Sequence, residues 1–264
     1  MTRDFSLDII RIAACLMVVL MHAPMPAENI CGPFLVALSY LTAPCIGLFF
    51  MVSGALLMPV RMDYAVFVRK RLNKILVPTI VWSLVYISVK GYMSGEGFFP
   101  LRSILSIPFS AQGHGVLWFM YTLAGLYLVA PILSAWLDRA RRQDVELVLW
   151  LWAVTLCYPV VEYWLAVNET QTGLLYYFGG YAGYFLLGYY LKRYPSRLSL
   201  YPCLAVFVAG ALLLFTVKCY HIEVDFYRMF WYLSIFVAAG CVAVWIVIHR
   251  LWSRFSSNRL KMGG

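Results

Sequence analysis

Apolar runs of about twenty residues recur along this chain, and nearly every charge falls between them. They lie at roughly 7–25, 34–60, 73–93, 116–136, 146–166, 174–191, 201–220 and 228–249. Each is long enough to cross a hydrocarbon layer as a helix. The runs are continuous, whereas strands of a membrane barrel alternate apolar and polar residues. Hydrophobic residues make up 63% of the 264 and charged residues 12%. Soluble domains sit near 45–50% and about 25%, so a water-covered core is excluded. The expectation is an all-α polytopic helix bundle of about eight transmembrane helices, forming one membrane domain over residues 1–264.

The formal charge of +9 is decided by where the cations fall. Basic connections hold Arg61, Arg69, Lys70, Arg71 and Lys74; Arg139, Arg141 and Arg142; Lys192, Arg193 and Arg197; and Arg250, Arg254, Arg259 and Lys261. The connections between them hold only Lys90, Arg102, Lys218 and Arg228. Rich and poor ends alternate, as the positive-inside rule requires, which puts both termini in the cytoplasm. The charge therefore reports topology in a bilayer and not nucleic-acid binding. Asp4 and Asp8 ahead of the first run, and the prolines after it, favour a retained first helix over a cleaved signal. Seven scattered cysteines show no metal-type spacing, and no permanently bound cofactor or metal is expected. Cys31 and Cys219 lie near the predicted outer face, where a disulfide is conceivable. The longest connection, about 93–115, has the length of a lid or re-entrant segment. Gly179 and Gly183 read as a small-residue packing pair. Tyr163, Trp164, Tyr176 and Tyr177 read as part of an interfacial aromatic belt.

The first run carries the chemistry. Arg11 and His22 are eleven residues apart, which at about 100° per residue returns them to nearly the same side, about 16 Å apart along the axis. Asp8 stands one turn before Arg11 and Cys15 one turn after it. Ionisable groups at membrane depth usually face a protein interior or a watered cavity. A snorkelling arginine and a hydrogen-bonded histidine would explain the stripe without function. Alternatively, a buried neutral His22 accepts a proton from an attacking hydroxyl, and Arg11 holds an anionic cosubstrate at the cytoplasmic mouth. A second cluster, Arg69-Lys70-Arg71 with Lys74, stands at the entry to the third run, where Arg71 and Lys74 share a face suited to phosphate.

These residues resemble a known pattern. An Arg and a His separated by ten residues in the first helix, with Asp8 preceding, is similar to the hallmark of acyltransferase family 3, the bacterial membrane O-acyltransferases. Phe49-Phe50-Met51-Val52-Ser53-Gly54, Lys70-Arg71-x-x-Lys74-Ile75-x-x-Pro78 and Leu117-Trp118-Phe119 with Pro131 resemble the family's further motifs, in order, over about residues 5–250. Three positions depart. Lys74 replaces an arginine, Val116 stands where a histidine is common while His114 is out of register, and the chain lacks the last two of about ten helices.

The resemblance implies transfer of an acetyl group from cytoplasmic acetyl-CoA to a hydroxyl of a surface glycan or lipid-linked saccharide, in the bacterial inner membrane. It implies His22 as the catalytic base, Arg11, Arg71 and Lys74 as coenzyme A ligands, and Asp8, Ser53 and Trp118 in supporting roles. Transient acylation of His22 is the alternative to direct transfer. A glycan or acyl-carrier exporter, or a non-catalytic truncated member, are the competing functions.

Overall fold

The structure, a computed structural model, describes residues 4–22, 32–95, 97–98, 101–109, 117–165, 174–194 and 199–262, with only the backbone given at 32–35, 176 and 257–262. Cys31, His114, Val116 and Gly113–Gly115 lie outside the described residues. Helices account for all regular structure among those described, as the bundle expectation requires. They are α1 (Phe5–His22), α2 (Gly32–Thr42), α3 (Pro44–Leu57), α4 (Tyr64–Ser94), α5 (Leu101–Ser106), α6 (Trp118–Leu137), α7 (Arg142–Thr155), α8 (Tyr158–Leu165), α9 (Ala182–Arg193), α10 (Leu200–Cys219), α11 (Phe226–Met229) and α12 (Ile235–Met262).

Seven helical stretches of the described chain are long and apolar enough to cross a membrane: Phe5–His22, Val36–Leu57, Tyr64–Ser94, Trp118–Leu137, Arg142–Leu165, Leu200–Cys219 and Ile235–Ser256. The predicted run at 174–191 is the exception. It becomes a 3-10 turn at Tyr176–Phe178 and the 12-residue α9. Twelve residues rise about 18 Å, short of a hydrocarbon core of about 30 Å. Gly180, at a φ of 86°, separates the two pieces.

Prolines break two of the predicted runs. Pro44 begins α3, where a missing N–H costs nothing, and so separates α2 from α3. Pro159 sits in the first turn of α8 and separates it from α7. The Leu156 carbonyl at that break accepts the Ile235 N–H at 3.1 Å, so the start of α12 satisfies it.

The helices gather into two compact units, Leu57–Arg141 and the remainder of the chain. In the larger unit α10 packs on α12 and α2, α1 on α12 and α2, and α7 on α9. Its core holds Tyr40, Leu48, Met51, Tyr184, Phe185 and Phe230. Buried hydroxyls find carbonyls: Tyr40 donates to Phe207 at 2.7 Å and Tyr184 to Tyr232 at 2.6 Å. A Cβ at Gly54 would overlap the Phe185 carbonyl, and one at Gly188 the Met51 carbonyl. The two glycines therefore let α3 and α9 approach backbone to backbone. The Lys192 ammonium adds a 2.9 Å bond to the Ala55 carbonyl. Gly183 meets the Trp152 indole in the same tight manner, whereas Gly179 lies before α9, so the two glycines do not form the expected pair on one helix.

In the smaller unit α4 packs on α6 and α5. The buried residues of α4 are Phe67, Ile75, Thr79, Ser83, Ile87 and Gly91, a stripe of period four. Tyr121 donates to the Ile107 carbonyl at 2.7 Å, fastening the end of α5 to α6. The helix begins well before the predicted 73, because Asp63 caps it: its carboxylate accepts the Ala65 N–H at 3.0 Å and the Val66 N–H at 3.3 Å. The basic cluster is thus helical rather than a preceding loop. Asp63→Ala is expected to cost about 1 kcal/mol, read as faster hydrogen exchange in the first turn of α4 with the rest of the unit unchanged.

Candidate active site

Helix α1 buries one narrow stripe, Ser6, Leu7, Ile10 and Ala14, against its neighbours. Arg11 and His22 project beside that stripe, within about 20° of each other on the helical wheel. Both are exposed, so the polar stripe is not packed into the core of its own unit. The expectation that His22 is buried is corrected on this point. Burial follows from the apolar residues at Leu7, Ile10 and Ala14, and these turn His22 away from the packed side.

The structure supplies a different constraint on the imidazole. His22 Nδ1 lies 2.9 Å from the Val18 carbonyl, one turn back on the same helix. A carbonyl oxygen only accepts, so Nδ1 carries the proton and donates it. In the neutral ring this leaves Nε2 as an acceptor facing outward. A backbone carbonyl thereby orients the ring, a role for which no carboxylate could be identified from sequence.

At the other end of α1, Arg11 pairs with Asp8 at 3.8 Å. That separation is a loose ion pair and not a hydrogen bond, so the planar donor fork of the guanidinium is available to a second anion. Asp8 is half-buried and sits one turn before Arg11, as the spacing predicts. Below the pair, the Ser6 hydroxyl donates to Asp4 Oδ1 at 2.5 Å and accepts from His249 Nδ1 at 2.9 Å. The rings of Phe5 and Trp252 meet beside it with centroids 5.7 Å apart. This network ties the first turn of α1 to α12 and fixes the origin of the Arg11 side chain. Sequence reasoning missed His249. Nothing local marks it, because its partner is 243 residues away.

The other expected site residues divide between the units. Ser53, half-buried on α3, shares the larger unit with Asp8, Arg11 and His22. Arg71, Lys74 and Trp118 belong to the smaller unit. Arg71 is half-buried and continues the period-four stripe between Phe67 and Ile75, whereas Lys74 is exposed. The two cations one turn apart on α4 therefore differ in environment. Trp118 opens α6 and is half-buried.

A helix-borne Arg and His on one face, an Asp one turn before the Arg, and a tightly crossed Ser-Gly helix are the features that the matching family model spans. That model, for an acyltransferase domain, matches residues 4–264. The chain belongs to acyltransferase family 3. No curated protein and no solved structure gives a significant match. Membership makes it an integral membrane transferase domain, one that brings an acyl donor and an acceptor together. Arg11, His22 and Gly54 all fall within the matched residues, and the lack of a side chain at Gly54 is explained by its contact with the Phe185 backbone.

Proposed function

We propose that this family member is an O-acetyltransferase of the bacterial inner membrane. It takes the acetyl group from cytoplasmic acetyl-CoA and passes it to a hydroxyl of a surface glycan or lipid-linked saccharide. The resemblance of its motifs to those of the inner-membrane acetyltransferase of enterobacterial common antigen supports this acceptor class. The observation that carries the reading is the Nδ1 bond of His22 to Val18, which leaves Nε2 as the acceptor nitrogen of an exposed ring on the same side of α1 as Arg11.

In the proposed reaction Nε2 takes the proton of the acceptor hydroxyl. The oxygen–carbon bond to the acetyl carbonyl forms, the carbon–sulfur bond breaks, and coenzyme A leaves as the thiolate and is reprotonated. Arg11 holds donor phosphate through charge-assisted hydrogen bonds, with Asp8 orienting it. The rise of about 16 Å from Arg11 to His22 suits an extended pantetheine arm lying along the helix. Arg71 and Lys74 are proposed as phosphate ligands by virtue of their charge at the basic end of α4. Direct transfer is preferred to an acyl-histidine, since no second nucleophile is evident beside His22 among the described residues.

The test is transfer of label from radiolabelled acetyl-CoA to envelope glycan by the purified protein. No labelled glycan, with no acetyl-CoA binding, would refute the proposal. Arg11→Ala is expected to raise the KM for acetyl-CoA about ten- to hundredfold, the worth of one or two charged hydrogen bonds. Arg11→Lys recovers part of it, because a point charge replaces a planar fork.

A further inference from the structure

Between α10 and α12 the larger unit carries a segment that the donor chemistry does not use. Lys218, His221, Glu223 and Asp225 contribute to the wall of an open cavity of about 480 Å³. That is within the size range of small-molecule sites. The chain then enters α11, whose first N–H groups are capped by Asp225: its carboxylate accepts the Arg228 N–H at 3.1 Å. Phe226, Tyr227 and Trp231 form a ring cluster with all three centroid separations at 5.3 Å. Tyr227 is 72% exposed, so the cluster has an open face.

The cluster is held firmly. Arg228 pairs with Glu162 of α8 at 2.5 Å, and the Tyr232 carbonyl accepts the buried Tyr184 hydroxyl. The Tyr232 hydroxyl in turn reaches Met21 Sδ at 3.4 Å. Met21 is the residue next to His22. The aromatic segment is therefore attached to the end of α1 that carries the imidazole.

An interfacial lipid anchor accounts for an exposed Tyr beside a half-buried Trp, yet it gives no reason for carboxylates beside them. Glu223 and Asp225 would be repelled by an anionic headgroup layer. A sugar ring presents both required surfaces at once: an apolar C–H face for an aromatic ring, and hydroxyls for carboxylate and ammonium partners. We propose that residues 218–231 form the acceptor subsite. A saccharide ring stacks on the exposed face of Tyr227 and abuts Trp231, whose plane stands at 80° to it, and its hydroxyls bond the charged groups that line the cavity just before α11. The proposal rests on the O-acetyltransferase reading and assigns its acceptor a place.

The experiment uses the full-length protein in lipid nanodiscs, with delipidated oligosaccharide released from the envelope of the source cells as probe. Initial rates are measured against oligosaccharide concentration for wild type, Tyr227→Leu, Trp231→Leu and Trp231→Phe. Both leucine variants are expected to raise the acceptor KM about three- to tenfold, with kcat and the KM for acetyl-CoA within about twofold. Trp231→Phe, which keeps a ring, recovers most of the loss. An unchanged acceptor KM in Tyr227→Leu overturns the proposal, as does an equal defect in the leucine and phenylalanine variants of Trp231. The exposed position of Tyr227 keeps the test valid if Trp231→Leu misfolds. Quenching of tryptophan fluorescence by the oligosaccharide, without acetyl-CoA, separates the two levels of the argument. Binding by wild type that Tyr227→Leu weakens supports the subsite even where no transfer occurs, and absence of binding overturns it.

Discussion

His22→Ala is expected to lower the rate of the proposed acetyl transfer by about 10²–10⁴-fold while acetyl-CoA binding stays within a few-fold of wild type. The size follows from removing a positioned general base, and the selectivity follows from distance. Arg11, the proposed donor-holding residue, lies about 16 Å away along α1. His22→Gln is equally slow, because an amide retains hydrogen bonding but takes no proton. The ring is held by a backbone carbonyl, so no side-chain substitution elsewhere mimics the loss by releasing Nδ1. Steady-state rates with equilibrium binding of labelled acetyl-CoA check both halves. A variant that loses donor binding as severely as turnover would make His22 structural.

Gly54→Ala is the second large effect, and it acts through the fold. An added methyl would meet the Phe185 backbone, which cannot rotate away as a side chain could. Either α3 and α9 separate or the methyl overlaps, at a cost near the upper end of the roughly 1–3 kcal/mol of overpacking. Separation would also stretch the bond from Lys192 to the Ala55 carbonyl. Gly54→Val is expected to abolish accumulation of folded protein. Gly125→Ala is the control, since nothing lies within 4 Å of a Cβ there and α6 loses only a flexible residue. Thermal unfolding in detergent should place Gly54→Ala well below wild type and Gly125→Ala level with it.

Helix class and number were mostly legible because desolvated backbone leaves a bilayer chain few choices. Misreadings came where local chemistry overrode hydropathy. Asp63 caps α4 so that the helix starts at Tyr64, nine residues ahead of the expected 73 and upstream of Arg71 and Lys74, which hydropathy alone does not register. At 174–191 an apolar run broke at Gly180, since a left-handed φ ends helical hydrogen bonding whatever the polarity. At the end of the chain Ser234, buried with its hydroxyl 3.3 Å from the Phe236 N–H, starts α12 and isolates α11. Of the site, the alignment of Arg11, Asp8 and His22 follows from helical geometry and was readable. The partner of Nδ1 is set by a side-chain rotamer within α1, while the Ser6–His249 contact and the approach of Tyr232 to Met21 depend on tertiary placement across up to 243 residues. No local pattern encodes such pairs.

The central claim is that one helix carries an acetyl group from a donor held at its arginine to an acceptor activated at its histidine. Vesicles containing the protein in one orientation, loaded with labelled acetyl-CoA and bathed in envelope oligosaccharide, test it directly. The account predicts label on the external saccharide, with none in vesicles carrying His22→Ala. Labelling that requires donor and acceptor on the same side of the bilayer would contradict it.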